Sequence, residues 1–292
     1  MAWPEEIARY EGVYDEGYAA IRRQRFERQL ELGLWESDAI LSAPTHRNWD
    51  KLSVSEKKDE IRKMEVYAAM VDRMDQNVGR ILEQIRKMGV EKNTLILVAS
   101  DNGASAEVVK INESGTIGTM DRWSSLGPDW ANVSNTPFRL FKNDSYEGGI
   151  RTPFIAYWPE EIEGKNRITD VPAHFIDIMA TFVDLTGIHY PDQFNGETLT
   201  PLQGRSLLPV FRGSTRLSQR PLYWEWRGGR AVRFGDWKRV TSGEEWELFN
   251  MKRDPSEKHD LADTHSDIRD ALVTLMSVDE RLKKYYFICF HP

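Results

Sequence analysis

The sequence predicts an α/β body followed by a small antiparallel sheet with a closing helix. Three patterns carry this. A long amphipathic pattern, Ser55 to Met88, leads through Gly89 into a continuous apolar run, Thr94 to Ser100. A second apolar run, Pro153 to Tyr157, precedes another helical pattern. Past Arg220 the chain turns into short strand-like runs separated by glycine. Helix, short loop and apolar strand make half of a βαβ unit. Short runs punctuated by glycine read as hairpins.

Each element has a local reason. Ile7 to Leu32 reads as helix with breaks, since Pro4, Glu5 and Glu6 suit a first turn. Leu41 to Asp50 is a loop, signalled by Ser42, Pro44, Thr45 and Asn48. In the long helix Ser55 can cap. Met64, Tyr67, Val71, Met74, Val78, Ile81, Leu82 and Ile85 recur mostly at steps of three and four, a stripe that predicts a core-facing side. Thr94 to Ser100 lacks alternation, which predicts a strand covered on both faces. Glu107 to Asn135 is polar and long for an irregular loop. Phe175 to Leu185 is a helix with Gly187 beyond its end, and Pro191 to Gly213 is loop-rich. The runs at Leu222, Arg230, Trp237 and Trp246 form the small sheet, and Asp267 to Lys284 is the closing helix, with Ser266 as its cap. These changes divide the chain into residues 1–213 and 214–292.

Composition bounds the function. The chain has 292 residues, 40% of them apolar, enough for a sizeable core and unlike a collagen, a coiled coil or a disordered chain. No apolar run approaches the roughly 20 residues of a membrane span. With 39 Lys and Arg against 46 Asp and Glu, the net charge of −7 argues against nucleic-acid binding through a broad basic surface. It leaves room for a basic pocket that takes one small anion. The lone cysteine, Cys289, excludes a disulfide framework within the chain. The first residues carry no signal-peptide pattern.

Ser100-Asp101-Asn102-Gly103 directly follows the first apolar strand, and ligands in open α/β sheets bind beyond such strand ends. Asp and Asn offer adjacent hard oxygens suited to Ca²⁺ or Mg²⁺. Taken alone, Asp-Asn-Gly reads first as a turn. Lys142 precedes Tyr146-Glu147-Gly148-Gly149-Ile150-Arg151-Thr152-Pro153, where paired glycines permit a close backbone approach or a positive-φ turn. A lone lysine is ordinarily a solvated charge, and Glu147 with Arg151 reads as a structural ion pair. His174 sits at a helix start and reads as a helix-terminus or core histidine. His46 lies in a loop, and His189, His259, His265 and His291 lie in polar or terminal contexts. No histidine pair has zinc spacing.

Taken together these segments resemble the sulfatases, most closely the bacterial arylsulfatases, within the alkaline phosphatase superfamily. Tyr10 to Gly17 with the Arg-rich helix behind it, Tyr67 to Asp75 with Val78 to Ile81, Ser100 to Gly103, Lys142 with Tyr146 to Pro153, and the C-terminal runs from Arg230 to Phe249 carry the resemblance. It extends from about Ile7 to about Asp263. It implies the back half of a sulfatase α/β domain, with a mixed sheet, flanking helices and a small C-terminal antiparallel sheet.

The resemblance also implies a chemistry. The family hydrolyses sulfate esters, aryl, alkyl or glycan, with a formylglycine hydrate as nucleophile and a calcium ion. Asp101 and Asn102 are similar to the second pair of metal ligands, and Asp101 would lie near the hydrate. Lys142 is similar to the lysine that contacts sulfate and the leaving oxygen. An anionic nucleophile attacking an anionic ester needs such positive charge. The Cys-x-Pro-Ser-Arg motif is absent: Cys289 is followed by Phe290, His291 and Pro292, and Ser42-Ala43-Pro44-Thr45-His46 puts histidine in place of the arginine. The first acidic metal pair and the front lysine and histidines are absent too, and all would fall upstream of Trp3. The expectation is a fragment of a secreted or periplasmic sulfatase, inactive alone and with apolar edges exposed. Two other readings stand beside it: a phosphoesterase or phosphonate hydrolase of the same superfamily, and a non-catalytic module binding a sulfated carbohydrate through its tryptophans. Candidate specificity contacts are Glu107–Asn135 and Tyr223–Arg230.

Overall fold

A computed structural model describes residues 2–162, 164 and 167–279, with side chains as far as Met276. Cys289 and the end of the expected closing helix lie outside the described residues. The chain opens with a short helix α1 (Pro4–Ile7) and α2 (Gly17–Glu31). The long helix α3 spans Val54–Lys87. Its cap is Ser53, not Ser55. The Ser53 hydroxyl accepts from the Glu56 N–H, and the Glu56 carboxylate accepts from the Ser53 N–H at 2.8 Å. This reciprocal capping box satisfies two otherwise orphaned donors.

Strand β1 (Ile96–Ala99) pairs with a later strand rather than with a sequential neighbour. The polar stretch between them is not one irregular loop. It holds the two-residue strands β2 (Lys110–Ile111) and β3 (Trp123–Ser124), then helix α4 (Gly127–Ser134). A one-turn helix α5 (Glu147–Ile150) leads into β4 (Phe154–Tyr157), which lies antiparallel to β1 with Val98 opposite Ile155. Helix α6 (Ile176–Thr186) ends on Gly187 in the left-handed region, φ 65°. The small hairpin β5 (Gln193–Phe194) and β6 (Glu197–Thr198) and the turn α7 (Leu208–Phe211) follow.

The C-terminal sheet is as expected. Strands β7 (Leu222–Trp226), β8 (Gly229–Phe234), β9 (Trp237–Thr241) and β10 (Glu247–Asn250) form an antiparallel sheet in the order β10-β9-β8-β7. Helix α8 (Ser266–Asp279) closes one face, packing Leu272 on Val232 and Leu248. Tyr146 packs with Ala231, Val240 and Phe249. No described helix is long and apolar enough to cross a membrane.

Two burial expectations are corrected. β1 and β4 are covered on one face only. Leu97 and Ala156 pack against Trp158, Leu208 and Phe211, whereas Val98, Ile155 and Tyr157 are exposed, Ile155 at 59%. The α3 stripe is core only near Met64, Val66 and Ala69, while Tyr67, Val71, Met74 and Ile81 are exposed. An unbroken apolar run signals that a strand needs cover; it does not say which polypeptide provides it. The tryptophans divide similarly. Trp130 is fully buried against Tyr18 and Met64, and those of the C-terminal sheet are half-buried.

His174 meets the helix-terminus reading. Its Nδ1 accepts from the Ile176 N–H at 3.3 Å and its ring lies 5.7 Å from Trp224. Burial lowers its pKa, Asp177 opposes this and Arg220 reinforces it. The unfolded chain therefore takes up the proton first, and His174 contributes stability that is lost as pH falls below about 6.5. Melting at pH 7.5 and pH 5.5 should show a smaller acid loss in His174→Gln than in wild type. Equal losses would contradict the assignment.

Candidate active site

The turn after β1 is built by backbone contact with a distant segment. The Ser100 hydroxyl donates to the Asn102 carbonyl at 2.9 Å, closing the turn. The Gly103 N–H then donates to the Gly149 carbonyl at 2.9 Å. Any Cβ at Gly103 would sit 1.7 Å from the Gly148 carbonyl oxygen, so glycine is required by approach rather than by φ. The Lys142 N–H donates to the Ala104 carbonyl at 3.0 Å. Asn135 bridges the two segments: its Oδ1 accepts from the Ala104 N–H at 2.9 Å and its Nδ2 donates to the Leu140 carbonyl at 3.0 Å. The backbones carrying Asn102 and Lys142 are thus hydrogen-bonded into one unit. Sequence reasoning missed Asn135, because a half-buried bridging amide has no local signature.

The paired glycines take the close-approach option. A Cβ at Gly148 would lie 2.2 Å from the Arg139 carbonyl, and one at Gly149 would lie 2.0 Å from that of Asp144. Leu140 and Asn143, flanking Phe141 and Lys142, have positive φ of 60° and 83°. Such conformations in non-glycine residues persist only where neighbours enforce them. One enforcing contact is the Trp226 Nε1–H, which donates to Asn143 Oδ1 at 2.9 Å. The tip of the β7–β8 hairpin therefore abuts the lysine turn.

Lys142 is about one-third exposed, its Nζ 3.7 Å from Glu107 Oε1. A half-solvated pair of this kind is worth about 0–1 kcal/mol, so an anionic ligand can compete for the amine. Asp101 is exposed, with no hydrogen bond or ion pair to its carboxylate among the described residues. Asn102 Nδ2 donates to the Gly103 carbonyl at 2.8 Å, which leaves Oδ1 free to accept. This donor set suits a hard cation, but only as part of a shell. Ca²⁺ takes about 6–8 oxygens, and no group of three or more acidic, histidine or cysteine side chains among the described residues could hold a metal.

A buried charge cluster ties the lysine turn to the C-terminal sheet. Lys238, fully buried on β9, lies 2.8 Å from Glu147 Oε1 and 2.7 Å from Glu257 Oε1. Glu257 Oε2 accepts from the Glu147 N–H at 2.7 Å. Arg151 Nη1 lies 3.6 Å from Glu147, the ion pair expected from the sequence. Burial opposes the charge of Glu147, but Lys238, Arg151 and Arg233 outweigh it and hold its pKa low. Burial pushes Glu257 up to about 7, with Lys238 acting against that shift and Glu147 adding to it.

The sulfatase family model matches residues 3–188, and that for the C-terminal region of N-sulphoglucosamine sulphohydrolase matches 138–283. The chain belongs to the sulfatase family. It is similar to an uncharacterized sulfatase of Schizosaccharomyces pombe, 31% identical over 95% of this chain and 55% of that protein. It is 32% identical to the arylsulfatase of Klebsiella aerogenes over 71% of this chain and 48% of that one. Among solved structures, Ps i-CgsB in complex with k-i-k-neocarrahexaose matches with a TM-score of 0.57 at 25% identity, covering 78% of this chain and 44% of that chain. The chain spans about half the length of the curated relatives it matches.

Proposed function

We propose that this chain is the back half of a sulfate-ester hydrolase, carrying the lysine that meets the ester and two of the oxygen ligands for a calcium ion. The observation that carries the reading is the hydrogen-bonded unit joining Gly103 and Ala104 to Lys142 and Gly149. Lys142 supplies a point charge to a sulfate oxygen and stabilises the departing oxygen. Asp101 and Asn102 would hold the metal through their side-chain oxygens, and bound calcium would supply positive charge where nucleophile and sulfate meet. Both cationic groups are needed because two anions must approach each other. The Trp226–Arg227 tip, held against the lysine turn, contacts the part of the substrate beyond the sulfate. A sulfated carbohydrate is the favoured substrate class, given the oligosaccharide bound by Ps i-CgsB.

The reading takes the nucleophile, and the cover for Val98, Ile155, Tyr157, Val71 and Met74, from the front half of the domain. Their exposure supports it. The division near residue 213 belongs to the same proposal: an α/β body followed by a sheet that braces the lysine turn. The test is an assay of the purified chain, with Ca²⁺, on an aryl sulfate. The chain alone should show no turnover above the free-solution rate. Joined with a sulfatase front half, it should show turnover that a chelator removes. Turnover by the chain alone would overturn the placement of the nucleophile. An inactive completed domain, or one that prefers an aryl phosphonate monoester, would overturn the sulfatase reading.

A further inference from the structure

The face of the C-terminal sheet on which α8 packs also carries, beside the Val232–Leu248–Leu272 contact, a basic cluster that the proposed chemistry does not use. Arg230 on β8 faces Thr241 on β9, and Arg239 lies two residues before Thr241, so both arginines share one face. Lys238, adjacent to Arg239 in sequence, points to the opposite face, toward Glu147. The two guanidiniums meet on one indole: Arg239 Cζ lies 4.0 Å and Arg230 Cζ 5.2 Å from the ring centroid of Trp246.

Stacking uses the flat faces of a guanidinium and leaves its in-plane N–H donors unspent. Neither arginine has a carboxylate partner among the described residues, and Arg239 Nε is buried with no acceptor. The nearby acids do not fill the role. Asp270 pairs with Arg269 at 2.9 Å, and Glu225, opposite Arg230 in the register, makes no ion pair with it among the described residues. Burial, then the charges of Arg269 and Arg230, lower the pKa of Arg239, with Asp270 opposing. Both arginines are half-buried, so their in-plane N–H donors remain open to an anionic acceptor from outside the chain.

We infer that Arg230, Arg239 and Trp246 form a second, non-catalytic binding site for a sulfate group of an extended sulfated glycan. The planar forks of the two arginines match a sulfate's oxygens through paired N–H donors. Arg269, across the cluster, makes a polymer bearing several such groups a better ligand than a single ion. The net charge of −7 confines polyanion binding to a local patch and disfavours nucleic acid. Because the site lies on the sheet face away from the lysine turn, it stands or falls separately from the proposed hydrolysis.

The test is calorimetric titration of the purified chain with a sulfated dextran oligosaccharide, with inorganic sulfate and with single-stranded DNA as separate arms. Binding of the oligosaccharide should weaken as salt rises. It should fall about tenfold or more in Arg239→Gln and further in Arg230→Gln/Arg239→Gln. Arg239→Lys, which keeps the charge but loses the fork and the stack, should lose most of the affinity with its melting temperature preserved. Lys87→Ala, which removes an exposed charge on α3, should bind like wild type. Unchanged binding in the double variant, or binding lost equally in Lys87→Ala, would overturn the site. Equal affinity for inorganic sulfate or for DNA would overturn its assignment to a glycan.

Discussion

Lys238→Met is expected to destabilise the fold by about 3–5 kcal/mol, the range for removing one partner from a buried charge group. Lys238 is fully buried with two carboxylates within 2.8 Å, and both of those side chains are themselves at most 4% exposed. Without the ammonium, Glu147 and Glu257 face each other with Arg151, 3.6 Å from Glu147, and the charge of Arg233 as the remaining compensation. One of them must then be protonated, and the Glu147 N–H bond to Glu257 weakens with it. Because that bond anchors the turn two residues before Gly149, the loss extends to the Gly103 contact. Urea denaturation of the variant gives the magnitude. Adding Glu147→Gln and Glu257→Gln should recover much of the loss, since no unpaired buried charge remains. A loss below about 1 kcal/mol for Lys238→Met would show that water reaches the cluster and that it does not brace the site.

The second large effect concerns Lys142. In the completed sulfatase domain Lys142→Ala is expected to lower kcat by about 10²–10³, the cost of removing one charge aimed at a developing oxyanion. The fold should be unaffected, because among the described residues the amine makes only the half-exposed contact with Glu107 and it is the backbone N–H that bonds Ala104. The melting temperature should therefore match wild type. Arginine at this position should restore little activity, since a planar fork does not fill the place of a compact ammonium. Wild-type kcat in Lys142→Ala would remove this residue from the chemistry.

Much of this was legible in the sequence. The glycines of Asp101-Asn102-Gly103 and Gly148-Gly149 mark two points of close backbone approach, and the structure bonds those two points to each other. The hairpins past Arg220 were legible because glycine punctuates them. Lys142, by contrast, carries no local signal and emerged only from family resemblance. Lys238 and Glu257 were invisible for a plain reason. Lys238 lies 91 positions from its partner Glu147, and the Glu257 carboxylate lies 110 from the Glu147 N–H it accepts; pairing at such range leaves no periodicity. The β2–β3 hairpin was hidden because two-residue strands are too short to show alternation. The open face of β1 and β4 was misread as covered, since an apolar run records the need for a neighbour and not its origin.

The most direct measurement is a structure of the completed domain grown with calcium and inorganic sulfate. Side-chain oxygens of Asp101 and Asn102 should lie about 2.3–2.6 Å from the ion, with Lys142 Nζ within about 2.7–3.2 Å of a sulfate oxygen in the same cavity. A sulfate bound elsewhere, with Lys142 still on Glu107 and the metal away from Asp101, would contradict the account.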